Sequence, residues 1–181
     1  MNDRFNKFLD YIFKVEGGYT NDKNDKGGAT NFGITYEDAK TYLGYIEDMR
    51  KFKKSDAEKI YEKIYYKGNH LDKIVNDKIA LSIFDWIVNS GKTGKKKAQI
   101  VANKFGSNLT VDGIIGPKTV EAINKINPET FLKEYHEMQR NFYKYLVSKD
   151  KTQQDFLTGW LNRVDRKEKY LKEMVWVKVI L

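Results

Sequence analysis

The sequence predicts a mainly α-helical protein with one small β-hairpin, and two patterns carry that expectation. Along most of the chain apolar residues return every three or four positions, the spacing of one helix face. Polar and apolar residues alternate in the short stretch from Thr30 to Thr35, and the Gly-, Asn- and Asp-rich segment before it marks a turn. At 181 residues, 40% of them apolar, the chain can bury one compact core or two small ones packed together.

The first helix is expected over residues 3–16, with Phe5, Phe8, Leu9, Ile12 and Phe13 as its apolar stripe and Gly17 and Gly18 as its stop. Stepping about 100° per residue sets Glu16 one turn beyond Ile12, inside that stripe and away from Lys7, Asp10 and Lys14. Desolvation and the negative pole of the helix both disfavour an anion there, which makes Glu16 a candidate general acid. A frayed helix end would instead leave it solvated. Asp22 and Asp25 follow in the Gly-rich segment. Thr30, Asn31 and Thr35 then alternate with Phe32 and Ile34 in a hairpin that would fold back over the helix end. Such a turn would bring a second carboxylate near the first, the pair that glycosidic hydrolysis uses.

Other chemistries fit the chain less well. Asp22, Asn24, Lys26 and Gly27 begin like a calcium loop, but Lys26 occupies a ligand position and Gly33 stands where the bidentate Glu belongs. No cysteine is present and the histidines are His70 and His136, so neither a thiol nucleophile nor a Cys/His zinc site is expected, and no cofactor is implied. Neither a Gly-x-Ser-x-Gly elbow nor a phosphate-binding Gly-x-x-x-x-Gly-Lys-Ser/Thr loop occurs. The net charge of +8 is compatible with an anionic partner such as nucleic acid, a membrane surface or a wall polymer, and equally with a solvated basic surface. Asp3, Arg4, Lys7, Asp10 and Lys14 interrupt any signal-peptide pattern, and no apolar run approaches the roughly 20 residues of a membrane span. A soluble monomer made in the cytoplasm is the expectation.

Thr35 with Asp38 reads as the N-cap of a short helix to about Leu43, and Ser55 with Glu58 as a capping box opening a helix through Ala57, Ile60, Tyr61 and Ile64. Tyr65, Tyr66, Asn69 and His70 would end it. The tyrosines could line a sugar groove or pack at a core edge, and His70 reads as structural. Residues 76–90 form the most apolar helix, the expected spine of the core. Ser82, Asp85 and Asn89 make a polar strip on its other side, with Trp86 at the border. Lys92, Lys95, Lys96 and Lys97 cluster before a helix from about 95 to 104. Asp112-Gly113 marks a turn, Gly116-Pro117 a helix start, and Asn127-Pro128 another. Its stripe is Phe131, Leu132, Tyr135, Met138, Phe142 and Leu146. A last helix over 153–173 carries Phe156, Leu157, Trp160, Leu161, Val164 and Leu171, with Gly159 inside it to allow close packing on a neighbour. Val175 to Leu181 is an apolar tail that could be a strand or a membrane-touching segment.

Glu16-Gly-Gly-Tyr19, Asn21-Asp22, Asp25, Gly27-Gly-Ala-Thr-Asn31 and Gly33-Ile-Thr35 together resemble the N-terminal signature of the glycoside hydrolase family 108 muramidases, whose fold is lysozyme-like. Asp85-Trp-Ile-Val-Asn-Ser-Gly91 resembles a second block of that family, and Gly159-Trp-Leu-Asn-Arg163 a C-terminal one. Val111-Asp-Gly-Ile-Ile-Gly-Pro117 is similar to helical peptidoglycan-binding modules. The resemblance implies a lysozyme-like catalytic region over 1–95, a peptidoglycan-binding-like region over 96–174 packed on it, and the tail 175–181. It implies that Glu16 is the catalytic acid. For the second carboxylate it leaves Asp25 first, Asp22 as competitor and Asp85 as a third candidate. Tyr19, Thr30, Asn31, Asp85 and Asn89 are implied to position sugar or water.

The implied reaction is cleavage of the β-1,4 bond between N-acetylmuramic acid and N-acetylglucosamine by an endolysin or autolysin acting on peptidoglycan glycan strands, with no metal, nucleic acid or stable membrane insertion involved. A wall-binding or secretion-assisting module that has lost hydrolysis is the rival, and a basic nucleic-acid binder a third reading.

Overall fold

A computed structural model of the chain describes residues 3–16, 29–44, 46 and 48–174. Tyr19, Asp22, Asp25 and the tail 175–181 lie outside the described residues. The architecture is mainly α, with eight α-helices among the described residues and one two-stranded antiparallel sheet after the first helix.

Helix α1 (Asp3–Val15) buries Phe5, Phe8, Leu9, Tyr11 and Ile12. The Glu16 N–H still donates to the Ile12 carbonyl at 2.7 Å, so the last turn closes on Glu16 rather than fraying before it. Strands β1 (Thr30–Asn31) and β2 (Ile34–Thr35) pair Thr30 with Thr35 and Asn31 with Ile34. Phe32 and Gly33 form the two-residue turn between them, both at positive φ (53° and 73°), as a tight hairpin matched to strand twist requires. Thr35 caps α2 (Tyr36–Leu43) as expected, its hydroxyl accepting from the Asp38 N–H and donating to the Asp38 carboxylate.

The next helix departs from expectation at both ends. Helix α3 (Lys54–Ile60) starts two residues early, with Lys53 as an N-cap that offers no side-chain bond, so Ser55 lies inside the first turn and the Ser55–Glu58 capping box does not form. The Lys53 carbonyl already accepts from the Asp56 and Ala57 N–H groups, which closes that turn without the serine. Beyond Ile60 the chain widens into a π-helical turn, Tyr61–Tyr66, and the Asn69 amide then satisfies the freed carbonyls of Ile64 and Tyr65. His70 sits at φ 51° with Nδ1 2.9 Å from the Ile115 carbonyl, a structural tie.

Helix α4 (Asp77–Ser90), capped by Asn76, is the spine, with nine consecutive residues from Ile79 to Ile87 buried. Ser82 and Asp85 are therefore not on a solvated face; both are 0% exposed, because later helices cover that side as well. Helix α5 (Lys92–Lys104) begins directly after Gly91, three residues before the expected start, so the lysine cluster forms its first turns. Gly94 sets the α4–α5 crossing, since a Cβ there would lie 2.9 Å from the Trp86 backbone. Helices α6 (Pro117–Asn124) and α7 (Pro128–Lys149) both start on a proline, after Gly116 and Asn127. Helix α8 (Gln154–Glu173) closes the described chain. Phe156, expected on its buried stripe, is 54% exposed. Gly159 packs on nothing: among the described residues no atom comes within 4 Å of where its Cβ would be. One apolar cluster runs from Phe5 to Leu171 and takes in residues of α1, α4, α5, α6, α7 and α8.

Candidate active site

Glu16 is fixed by three neighbours, each from a different part of the chain. The Ile12 carbonyl holds its backbone. Gly33, in the hairpin turn, lies against its side chain so closely that a Cβ there would be 2.7 Å from Glu16 Cγ and 2.6 Å from the Tyr61 hydroxyl. Glycine is needed twice over at this position, for the positive φ and for the space. The third neighbour is Arg163 of α8, whose Nη2 forms an ion pair with Glu16 Oε1 at 2.7 Å. The carboxylate side chain keeps about one-fifth of its surface exposed. The wholly apolar setting read from the helix stripe is thus corrected: the stripe does lead to Glu16, but a buried guanidinium meets it there.

Arg163 is itself held from behind. Its Nη2 is 2.8 Å from Asp85 Oδ1, and its Nε donates to the same oxygen at 3.0 Å. Lys167, one turn further along α8, donates to Asp85 Oδ2 at 2.9 Å and to Gln139 Oε1 at 2.6 Å. Burial works against the Asp85 anion, but Arg163 and Lys167 outweigh it and hold its carboxyl below the usual range. Burial likewise opposes the charge on Arg163, and Asp85 and Glu16 overcome it. The network continues from Gln139, whose amide donates to the Tyr143 hydroxyl, and Tyr143 donates to Asn89 Oδ1 at 2.6 Å, an oxygen that Ser90 also reaches. Burial pushes the Tyr143 phenol up to about 12, so it remains a donor at neutral pH.

These contacts place the sequence candidates. Asp85, carried as a third choice for the second carboxylate and as a sugar contact, has both oxygens occupied by cations and no exposed surface. It stands behind Glu16 and anchors its partner. Asn89 is half-buried and tied to α7 through Tyr143. Asn31 is buried, and its amide donates to the Met49 carbonyl, which pins the hairpin to the segment after α2. Thr30 is half-buried on the edge of the same hairpin. Tyr61 is buried and donates to the Phe32 carbonyl, bracing the turn that carries Gly33. Tyr65, half-buried, donates to Asp38.

Arg163 and Lys167 were the residues to which sequence reasoning gave no role. Their signal was present: at helical spacing both fall beside Trp160, Val164 and Leu171 on the apolar side of α8, where two cations require a buried anion, and Asp85 on the spine helix supplies it.

A second polar group lies beside this one. Neutral His136 satisfies both neighbours when the proton is on Nδ1, donating to Glu168 at 3.2 Å while Nε2 accepts from Ser82 at 3.0 Å. The order Ser–His–Glu is that of a hydrolase triad, but Ser82 is 0% exposed and no substrate can meet it. No group of His, Cys, Asp and Glu suited to a metal ion occurs among the described residues, and none of their helices is long and apolar enough to cross a membrane.

Comparison with known families assigns both segments of the chain. Residues 9–91 match the family model of glycosyl hydrolase 108. Residues 9–91 belong to that family. Residues 94–165 match a family described as a predicted peptidoglycan domain. The structure is similar to a solved structure of SagA from Brucella abortus, with a TM-score of 0.80 and 27% identity over 93% of this chain and 94% of that one. No curated protein sequence matches. The fold is therefore lysozyme-like, with the hairpin after the first helix and a C-terminal helical subdomain. The protein is a lysozyme-like glycoside hydrolase that acts on peptidoglycan. Glu16 lies in the glycosyl hydrolase segment and Arg163 in the peptidoglycan segment, so the ion pair between them joins the two.

Proposed function

We propose that the chain is an N-acetylmuramidase that cleaves the β-1,4 bond between N-acetylmuramic acid and N-acetylglucosamine, with Glu16 as the general acid. The observation that supports this reading most is the placement of Glu16 in the glycosyl hydrolase segment, partly exposed at the end of α1 and fixed against the Gly33 turn. With Oε1 on Arg163, Oε2 is the oxygen that would carry the proton to the leaving glycosidic oxygen. As that proton leaves, the nascent carboxylate finds Arg163 already in place, a preorganised charge that needs no reorientation. The second carboxylate is assigned to Asp25, with Asp22 as the competitor, to activate water or stabilise the oxocarbenium-like state. Tyr19, Thr30, Asn31 and Asn89 are assigned to positioning sugar or water, Asn31 and Asn89 through the elements they tie together.

Such an enzyme works as a monomer on the wall after release or export, as a phage endolysin or a bacterial autolysin does. The bond is tested by digesting purified peptidoglycan, reducing the new ends with borohydride and identifying the reduced sugar. Reduced N-acetylmuramic acid is expected; reduced N-acetylglucosamine would make the enzyme a glucosaminidase.

A further inference from the structure

Helix α8 carries a stripe of which the network around Glu16 uses only Arg163. Phe156, Gly159, Trp160 and Arg163 stand at i, i+3, i+4 and i+7, one side of the helix. At one end of the stripe Arg163 is paired with Glu16. At the other, Phe156 is 54% exposed. Trp160, between them and partly exposed, stacks on Phe156 (centroids 5.9 Å apart, planes at 26°) and on buried Tyr143 (5.3 Å, 27°). Tyr143 is locked by its bond to Asn89, so the aromatic row is a rigid platform.

Gly159 marks the same surface. A glycine in a helix interior weakens the helix relative to alanine, and such a residue ordinarily serves a close contact. Gly94 does so against the Trp86 backbone, whereas no described atom approaches Gly159. Beside an exposed aromatic row, that gap among the described residues is a surface onto which a flat ring can settle.

We propose that Phe156, Gly159 and Trp160 form a sugar subsite that seats a glycan strand of peptidoglycan on α8 and leads it to Glu16. Aromatic rings suit the apolar face of a pyranose, and the peptidoglycan family match over residues 94–165 covers this stripe. The place of the subsite in catalysis rests on the reading of Glu16 as the acid; its binding function does not.

The test uses the full chain carrying Glu16→Gln, titrated calorimetrically with peptide-free glycan strands released from peptidoglycan by an amidase. Adding Gly159→Ala should raise the melting temperature by about 2 to 4 °C and still weaken strand binding about tenfold, a combination that misfolding cannot produce. Trp160→Ala should weaken binding at least as much. Unchanged affinity in Gly159→Ala would overturn the subsite, and so would a fall in melting temperature, which would give the gap a packing role within the protein. Wall lysis by the Glu16→Gln background would refute the acid assignment alone, so the two failures are read separately.

Discussion

One guanidinium, that of Arg163, holds two carboxylates: its Nη2 is 2.7 Å from Glu16 and 2.8 Å from Asp85. A planar fork can serve both at once, whereas an ammonium is a compact point charge on a flexible stem. Arg163→Lys should therefore keep the charge but loosen Glu16, lowering the rate of wall lysis by about tenfold or more while wall binding stays close to that of the parent. Dye release from labelled walls measured beside a pull-down on the same walls checks this, and a loss confined to binding would contradict it.

Asp85 should behave differently. Its substitution by Asn leaves Lys167 buried without a counter-charge and Arg163 with Glu16 alone, which destabilises the fold by about 3 to 5 kcal/mol. Urea unfolding monitored by circular dichroism would show this as a large drop in midpoint. An Asp85→Asn protein as stable as the parent would mean that the two cations find other partners.

Gly33 makes a steric prediction. Alanine there meets the Tyr61 hydroxyl at 2.6 Å and Glu16 Cγ at 2.7 Å, in a backbone conformation with φ 73°. The left-handed conformation alone costs about 1 to 2 kcal/mol. Because the clash falls on the side chain of Glu16, lysis should fall further than the loss of stability explains. Melting and lysis measured on one preparation of Gly33→Ala separate the two effects.

His136 gives the fold a pH dependence. Burial lowers its imidazole from 6.5 to about 4 against the opposing pull of Glu168. Above pH 6.5 the ring is neutral folded or unfolded, and its contribution is fully present. Below 6.5 the unfolded chain takes up a proton that the folded chain refuses, so stability declines until about pH 4, by on the order of 2 to 3 kcal/mol. Glu168, held below its ordinary range by its bonds to His136 and Arg140, adds a further loss at lower pH. Urea midpoints across pH 4 to 7 should fall steeply in the parent and less so in His136→Gln.

Much of the fold was legible because its signals are local. Thr35 and Asp38, Gly116-Pro117 and Asn127-Pro128 fix helix starts through bonds within a few residues, and the stripe Phe5, Phe8, Leu9, Ile12 already points α1 at the core. What could not be read is non-local. Ser82 and Asp85 read only as a polar strip on the spine helix until α7 and α8 cover them, and the partner of Glu16 comes from the far end of the chain. The early start of α3 was missed for a different reason: a backbone carbonyl satisfied the first turn before the Ser55 side chain could.

Replacing Glu16 with glutamine separates proton delivery from shape, because the amide fits beside Arg163 and Gly33 but cannot protonate the leaving oxygen. Turbidity of purified peptidoglycan should fall with the parent and stay level with Glu16→Gln, while melting temperature and wall binding change little. Lysis by Glu16→Gln within a few-fold of the parent would place the acid elsewhere.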